Sequence, residues 1–261
     1  MDIVLIGAGR LATQLGLALR GVGHRITAVF SRTLASATML TERVGGKPTD
    51  SLAELPMVAD VFIVAVKDSV VAQLLPLLAQ GRGACPVFHT AGSLPLSVFC
   101  GTGFTHYGVL YPMQTFSKER MVDFARVPFF IEGNDELSLS IARTLATSVS
   151  GDVRELSSEA RRHLHLAAVF ACNFVNHCYK LSADVLQACH LPFDVMLPLI
   201  EETAEKVRTM HPHDAQTGPA VRYDEQVIQA QSMLLADRPQ LRAVYDLLSK
   251  SIHQSHQPQK Q

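Results

Sequence analysis

Hydrophobic positions in the first part of the chain follow two alternating patterns. Short runs rich in Ile, Val and Phe predict strands at 3–6, 26–30 and 61–66, with further strands at 86–89, 105–111, 128–132 and 152–155. Between them, apolar residues recur every three to four positions and predict helices at 11–19, 34–44, 70–78 and 135–149. Such alternation builds a parallel sheet covered by helices. Beyond residue 156 only the helical period remains, at 157–181, 192–210, 224–235 and 239–251. Ser157-Ser158-Glu159 supplies an N-cap to the first of these, and Thr217-Gly218-Pro219 breaks the pattern between the second and third. The organisation expected is an α/β domain over 1–155, an all-α domain over 156–252 and a flexible, Gln- and His-rich tail over 253–261.

The first strand runs directly into Gly7-Ala8-Gly9-Arg10-Leu11-Ala12, a G-x-G-x-x-A turn opening a helix. The residue types suit a dinucleotide. The first glycine makes the tight turn, the second lets a pyrophosphate approach the backbone, and Ala12 keeps helix and sheet close. The helix N-terminus offers N–H donors to the anion. This position inside a βαβ unit makes the α/β domain a Rossmann domain. At the end of the second strand, where an NAD site places an acid for the ribose 2′-hydroxyl, the chain has Ser31-Arg32-Thr33. An arginine there suits a 2′-phosphate, so NADP(H) is the expected cofactor. Were Arg32 only a solvated surface residue, an NAD site would stay open.

Ligands of an open α/β sheet lie beyond the carboxyl ends of its strands. Those ends carry Val66-Lys67-Asp68, His89-Thr90-Ala91-Gly92-Ser93 and Tyr111-Pro112-Met113-Gln114. Val66, Lys67, His89 and Gly92 are therefore expected at the cofactor, and Ser93 and Gln114 at the substrate. Each also has a structural reading: Lys67 pairing with an aspartate, His89 packing in the core, Ser93 capping the turn that Pro95 opens. On the helix predicted at 157–181, His165, Cys172 and Asn176 share a face and Asn173 lies about 80° away. His165 and Asn173 are the candidate catalytic pair, able to protonate and orient a carbonyl or imine; buried polar links between helices are the alternative. Arg222, in the loop region that follows Thr217-Gly218-Pro219, would suit an anionic substrate, or would simply pair with Asp224.

Composition removes other classes of function. Lys and Arg number 23 against 24 Asp and Glu, a net charge of -1, which leaves no overall footprint for nucleic acid or an anionic membrane. The apolar run at 61–66 is far short of the ~20 residues a bilayer needs. The first residues lack the basic region of a signal peptide. Five cysteines with no C-x-x-C pair point to reduced, mostly buried thiols and a cytoplasmic setting. His163/His165 and His211/His213, two apart, do not form a metal-ligand pattern. The apolar faces of the four C-terminal helices exceed what one small bundle hides.

In these motifs the chain resembles the 6-phosphogluconate-dehydrogenase-like superfamily, which includes pyrroline-5-carboxylate reductase, ketopantoate reductase and the deazaflavin-dependent NADP reductases. More closely, it is similar to a bacterial group of oxidoreductases that join a Rossmann-like domain to a helical domain of unknown function. The resemblance spans nearly the whole chain. It rests on Gly7-Ala8-Gly9, on residues 89–93, on 111–116, on His165 to Phe174 and on Thr217 to Asp224. It implies NADP-dependent reduction of a small molecule in a cleft between the domains, and a homodimer through the helical domain. Related dehydrogenases use a basic residue and an Asn of the corresponding helix; here no Lys stands one turn before Asn173. Tyr111 stands where the group has His, and a tyrosine can still donate a hydrogen bond. A non-catalytic NADP-binding sensor is the competing expectation.

Overall fold

A computed structural model describes residues 1–117 and 120–257. By contacts the chain divides into two compact units, Met1–Asn173 and Phe174–Gln261.

The first unit is an eight-stranded sheet. Its strands are β1 (Asp2–Ile6), β2 (Arg25–Phe30), β3 (Lys47–Thr49), β4 (Val61–Val64), β5 (Val87–His89), β6 (Tyr107–Pro112), β7 (Phe129–Gly133) and β8 (Val153–Glu155), in the order β3-β2-β1-β4-β5-β6-β7-β8. All neighbours are parallel except β6 and β7. The order reverses at β1, and a doubly wound sheet binds its ligand at that switch point. β3 has no counterpart in the hydrophobic pattern, because Lys47-Pro48-Thr49 is not apolar. It is an edge strand, where a proline is tolerated.

The sheet is apolar on both faces because both are covered. Ile3 and Leu5 join Leu15 and Leu19 of α1 (Arg10–Gly21), Leu40 of α2 (Leu34–Val44) and Leu145 of α4 (Glu136–Val149) in one core. Val4 and Ile6 point the other way and pack with Leu75 and Leu78 of α3 (Asp68–Leu78). A capping box between Asp135 and Ser138 starts α4.

The helix α5 (Ser158–Ala168) belongs to this first unit, so the contact boundary lies near Asn173 rather than at 155. Ser157 caps it as expected, its hydroxyl accepting from the Ala160 N–H at 3.3 Å. The single helix expected at 157–181 is broken by a π-helical segment, Val169–Phe174, before α6 (Val175–Gln187). A π turn takes up an extra residue, so side chains beyond it rotate away from their straight-helix positions. The face that joined His165 to Cys172 and Asn176 on the sequence does not survive this change.

The second unit continues with α7 (Leu197–Thr209), the short α8 (Pro212–Ala215) and α9 (Pro219–Arg222), then α10 (Glu225–Met233) and α11 (Pro239–Ser255). α11 runs four residues past the expected end, so the tail is helical to Ser255; residues 258–261 lie outside the described residues. Among the described residues of this unit only Ala220 and Ser232 are buried. Of the five cysteines only Cys85 is buried; Cys100, Cys178 and Cys189 are exposed and Cys172 is half-buried, contrary to the expectation of mostly buried thiols. No described helix is long and apolar enough to cross a membrane.

Candidate active site

The turn after β1 fits a dinucleotide phosphate. Gly7 has φ +119°, and a Cβ there would lie 2.4 Å from the Ala65 carbonyl oxygen, so no side chain fits. The Gly7 N–H donates to the Phe30 carbonyl at 2.8 Å, tying the turn to the end of β2. Val66 closes over it, its Cγ1 3.2 Å from the same hypothetical Cβ. Gly9 faces open space, and no side chain caps the helix it precedes. The first turn of α1 carries no acid, so its N–H groups are available to an anion. Ala8 and Leu11 flank the turn half-buried, and Arg10 is exposed. Ser31 is anchored by its N–H to the Thr49 carbonyl at 3.1 Å, while Arg32 is exposed and makes no ion pair with a described residue. The cradle therefore has room for a pyrophosphate and a free guanidinium for a 2′-phosphate.

The next strand ends divide. Lys67 is exposed and unpaired among the described residues, so it is free for a ligand rather than tied to an aspartate. His89 does not face a ligand. It is fully buried, stacks on Phe99 at 5.5 Å, and its Nδ1 accepts from the Ala91 N–H at 3.2 Å. Its Nε2 is buried, turned toward the Pro95 backbone but short of hydrogen-bond geometry. Burial, then the Arg161 charge, pushes the ring down to about 3, so it is neutral. His89 shapes the loop; the cofactor role expected of its side chain is corrected. Ser93 is also corrected in its alternative role: it does not cap the turn after Pro95 but donates to the Asp68 carboxylate.

Gly92 sits beneath a pair of side chains brought together from distant parts of the sequence. The Tyr111 hydroxyl is 3.1 Å from Nδ1 of His165, and the two rings meet edge to face at 6.0 Å. A Cβ at Gly92 would lie 2.6 Å from that Nδ1 and 2.7 Å from Cζ of Tyr111. Burial, then the Asp68 carboxylate, raises the Tyr111 hydroxyl above its usual range, and the Arg161 charge opposes them. His165 thus has a partner that the sequence did not assign.

The element holding this arrangement was not singled out from the sequence. Arg161 of α5 is fully buried. Its guanidinium donates to the Glu132 carboxylate on β7 and to the Leu94 carbonyl at 2.5 Å, beside Gly92 and Ser93. The Ser158 hydroxyl donates to Glu132 at 2.8 Å and accepts from the Leu96 N–H at 2.7 Å. One buried ion pair therefore ties the loop after β5 to the helix bearing His165. Nothing in the sequence Arg161-Arg162-His163 sets Arg161 apart from its neighbours; the serine three residues earlier shares its Glu132 partner.

The chain matches the model of a Rossmann-like domain over residues 1–111 and that of a domain of unknown function, DUF2520, over residues 127–252. It is similar to a crystal structure from Bacteroides fragilis titled "putative NADP oxidoreductase", with 51% identity over 97% of this chain and 98% of that one, and a TM-score of 0.92. The chain belongs to this family of Rossmann-like and DUF2520 proteins. A protein from Thermotoga maritima shares 24% identity over 97% of this chain and 99% of its own, with a TM-score of 0.79. An imine reductase from Myxococcus stipitatus, in complex with NADP+, shares 17% over 98% and 94%, with a TM-score of 0.73. These two likenesses establish the fold. A comparison with curated proteins finds no match.

Among the described residues of this DUF2520 protein, neither Gln114 nor Asn173 hydrogen-bonds to Tyr111 or His165. Asn173 lies in the π-helical segment, exposed and without a hydrogen-bond partner among the described residues. It is not the buried link between helices that the alternative reading expects. The Gln114 Oε1 accepts from the Thr115 N–H at 2.8 Å, which braces its own turn. Arg222 is exposed in the second unit and forms no pair with Asp224, whose carboxylate instead caps α10 through the Val227 N–H at 3.3 Å. Among the described residues no group of three or more His, Cys, Asp or Glu side chains is placed to hold a metal ion.

Proposed function

We propose that this protein is an NADP(H)-dependent oxidoreductase that reduces a small carbonyl or imine compound beyond the carboxyl ends of its parallel strands. The observation that carries the reading is the uncapped N-terminus of α1 behind Gly7 and Gly9, with Arg32 free at the end of β2 and no acid in the Ser31-Arg32-Thr33 stretch. The name of the Bacteroides fragilis relative supports it. When bound, the reduced cofactor supplies a hydride. The chain's own residues hold and orient it: backbone N–H groups of the turn bind the pyrophosphate, and Ser31 and Arg32 bind the 2′-phosphate. Val66 and Lys67 lie along the cofactor, and Gly92 lets the Tyr111 and His165 rings close down beside it. His165 handles the proton and Asn173 orients the substrate; Ser93 and Gln114 are assigned to substrate contacts.

Replacing Arg32 by Ala should weaken NADPH binding about tenfold or more, the usual effect of losing charge-assisted hydrogen bonds, and leave NADH binding unchanged. Calorimetric titration of both cofactors checks this. Equal binding of NADPH by the variant and the parent would overturn the 2′-phosphate assignment.

The second unit supports a homodimer. It leaves Leu191, Leu199, Met210, Met233, Leu234 and Leu247 exposed while burying almost nothing of its own. Large apolar side chains exposed in that number favour an interaction face. Sedimentation of the purified protein should give the mass of two chains, near twice 28.5 kDa. The mass of one chain at micromolar concentration would refute the dimer.

A further inference from the structure

We propose that Tyr111 is the catalytic acid of this site, that His165 supplies its proton, and that the substrate is a carbonyl compound rather than an imine. The inference rests on the NADP(H) oxidoreductase reading and narrows it. Neither Tyr111 nor the choice between the two substrate classes follows from the motifs.

Three features place the phenol in that role. First, Tyr111 is the penultimate residue of β6, one strand from the Gly92 loop, at the side of the sheet where doubly wound folds bind ligands. Second, its hydroxyl is within hydrogen-bond reach of the His165 Nδ1 at 3.1 Å, and Phe130 packs against its ring at 6.4 Å. Third, Gly92 provides a surface without a side chain beneath both rings, since a Cβ would collide with each of them. The Arg161 charge near Tyr111 is matched by Glu132, and Asp68 is the carboxylate that acts on the phenol. This environment keeps the hydroxyl protonated, the state an acid must have.

The two substrate classes need different groups. When a carbonyl carbon accepts a hydride, its oxygen becomes an alkoxide, far more basic than a phenolate, and a neutral phenol can protonate it as the charge develops. An imine is reduced as its iminium ion. The proton is then on nitrogen before the hydride arrives, taken from solvent because an imine nitrogen is far more basic than a carbonyl oxygen, so this step needs an acceptor facing the iminium charge rather than an acid. A weak acid next to an imidazole is matched to the alkoxide.

The step balances. The carbonyl carbon takes a hydride from the reduced cofactor, forming a C–H bond, while the carbonyl π pair takes the Tyr111 proton to form an O–H bond. The phenolate left behind is reprotonated through half-exposed His165, whose Nδ1 passes on a proton taken up from solvent. The sum is carbonyl, NADPH and a proton giving alcohol and NADP+.

The test pairs substrates of one ring size. Cyclopentanone and pyruvate serve as carbonyl probes and 1-pyrroline as the imine, each followed by NADPH oxidation, with NADPH affinity measured separately by fluorescence. The expected result is turnover of a carbonyl probe, with kcat reduced about 100-fold or more in Tyr111→Phe, the usual contribution of a general acid, at unchanged NADPH affinity. His165→Gln should lower kcat less and shift its pH profile, which a purely structural role would not do. Faster turnover of 1-pyrroline than of either carbonyl probe overturns the proposal. So does an unchanged kcat in Tyr111→Phe, or NADPH binding without turnover of any probe; in each of these cases the cofactor reading stands. Failure of the parent protein to bind NADPH overturns both.

Discussion

Replacing Arg161 by Met should cost about 3–5 kcal/mol of stability, the range expected when one partner of a buried ion pair is removed. The arginine is fully buried and its Glu132 partner largely so. Methionine has similar length but no donors. The change leaves the Glu132 carboxylate with only the Ser158 backbone and hydroxyl donors, and the Leu94 carbonyl without the guanidinium. Urea denaturation measures the loss. Adding Glu132→Gln to the same protein should recover part of it, because the uncompensated charge is then gone. Two single effects that simply add would show that the pair does not act as a unit. Since Leu94 and Leu96 are the anchored points of the loop carrying Gly92 and Ser93, loosening them also frees the surface on which Tyr111 and His165 meet.

That coupling explains why parts of the site were legible in the sequence and parts were not. The phosphate turn was legible because its requirements are local. A positive φ at Gly7 and an open approach at Gly9 are fixed by the chain passing from strand to helix, and no distant residue alters them. The alternation of strands and helices was legible for the same reason, with boundaries moving by a few residues. What was not legible depends on partners far along the chain. Arg161 is separated from Glu132 by 29 residues and from Leu94 by 67, and only tertiary contact turns an apparently solvated cation into a buried one. Tyr111 and His165, 54 residues apart, meet only because of that packing. The π-helical turn is silent in a stretch such as Val169-Phe170-Ala171-Cys172-Asn173-Phe174, whose composition suits an unbroken helix equally well. A helical wheel drawn through it takes no account of the wider turn. β3 escaped notice because its pairing with β2, not any apolar run, makes it a strand.

Acidification should destabilise the protein well above the range in which carboxylates titrate, and His89 is the cause. In the unfolded chain this imidazole titrates near 6.5; in the folded protein burial holds it down to about 3. Its contribution is fully present above pH 6.5 or so. Between those two values only the unfolded chain takes up the proton, so folding stability falls with pH by up to about 1.4 kcal/mol per unit. From pH 7 to pH 5 the expected loss is about 2 kcal/mol from this one residue. His24, also lowered by burial, works in the same direction, whereas His256, raised by its bonds to the Ile252 and His213 carbonyls, works in the opposite one. The assignment is therefore made by substitution. Urea midpoints, measured from pH 7 to pH 5, should fall more steeply in the parent than in His89→Phe, because phenylalanine has no proton to gain. Phenylalanine also removes the acceptor of the Ala91 N–H, so its absolute stability is not the readout; the slope is. Parallel slopes in the two proteins would show that His89 takes up its proton without unfolding, and that the loop over Phe99 yields locally instead. A slope confined to the parent would show that the histidine at the end of β5 is a neutral wedge in the core, with the backbone of the Gly92 loop folded over it.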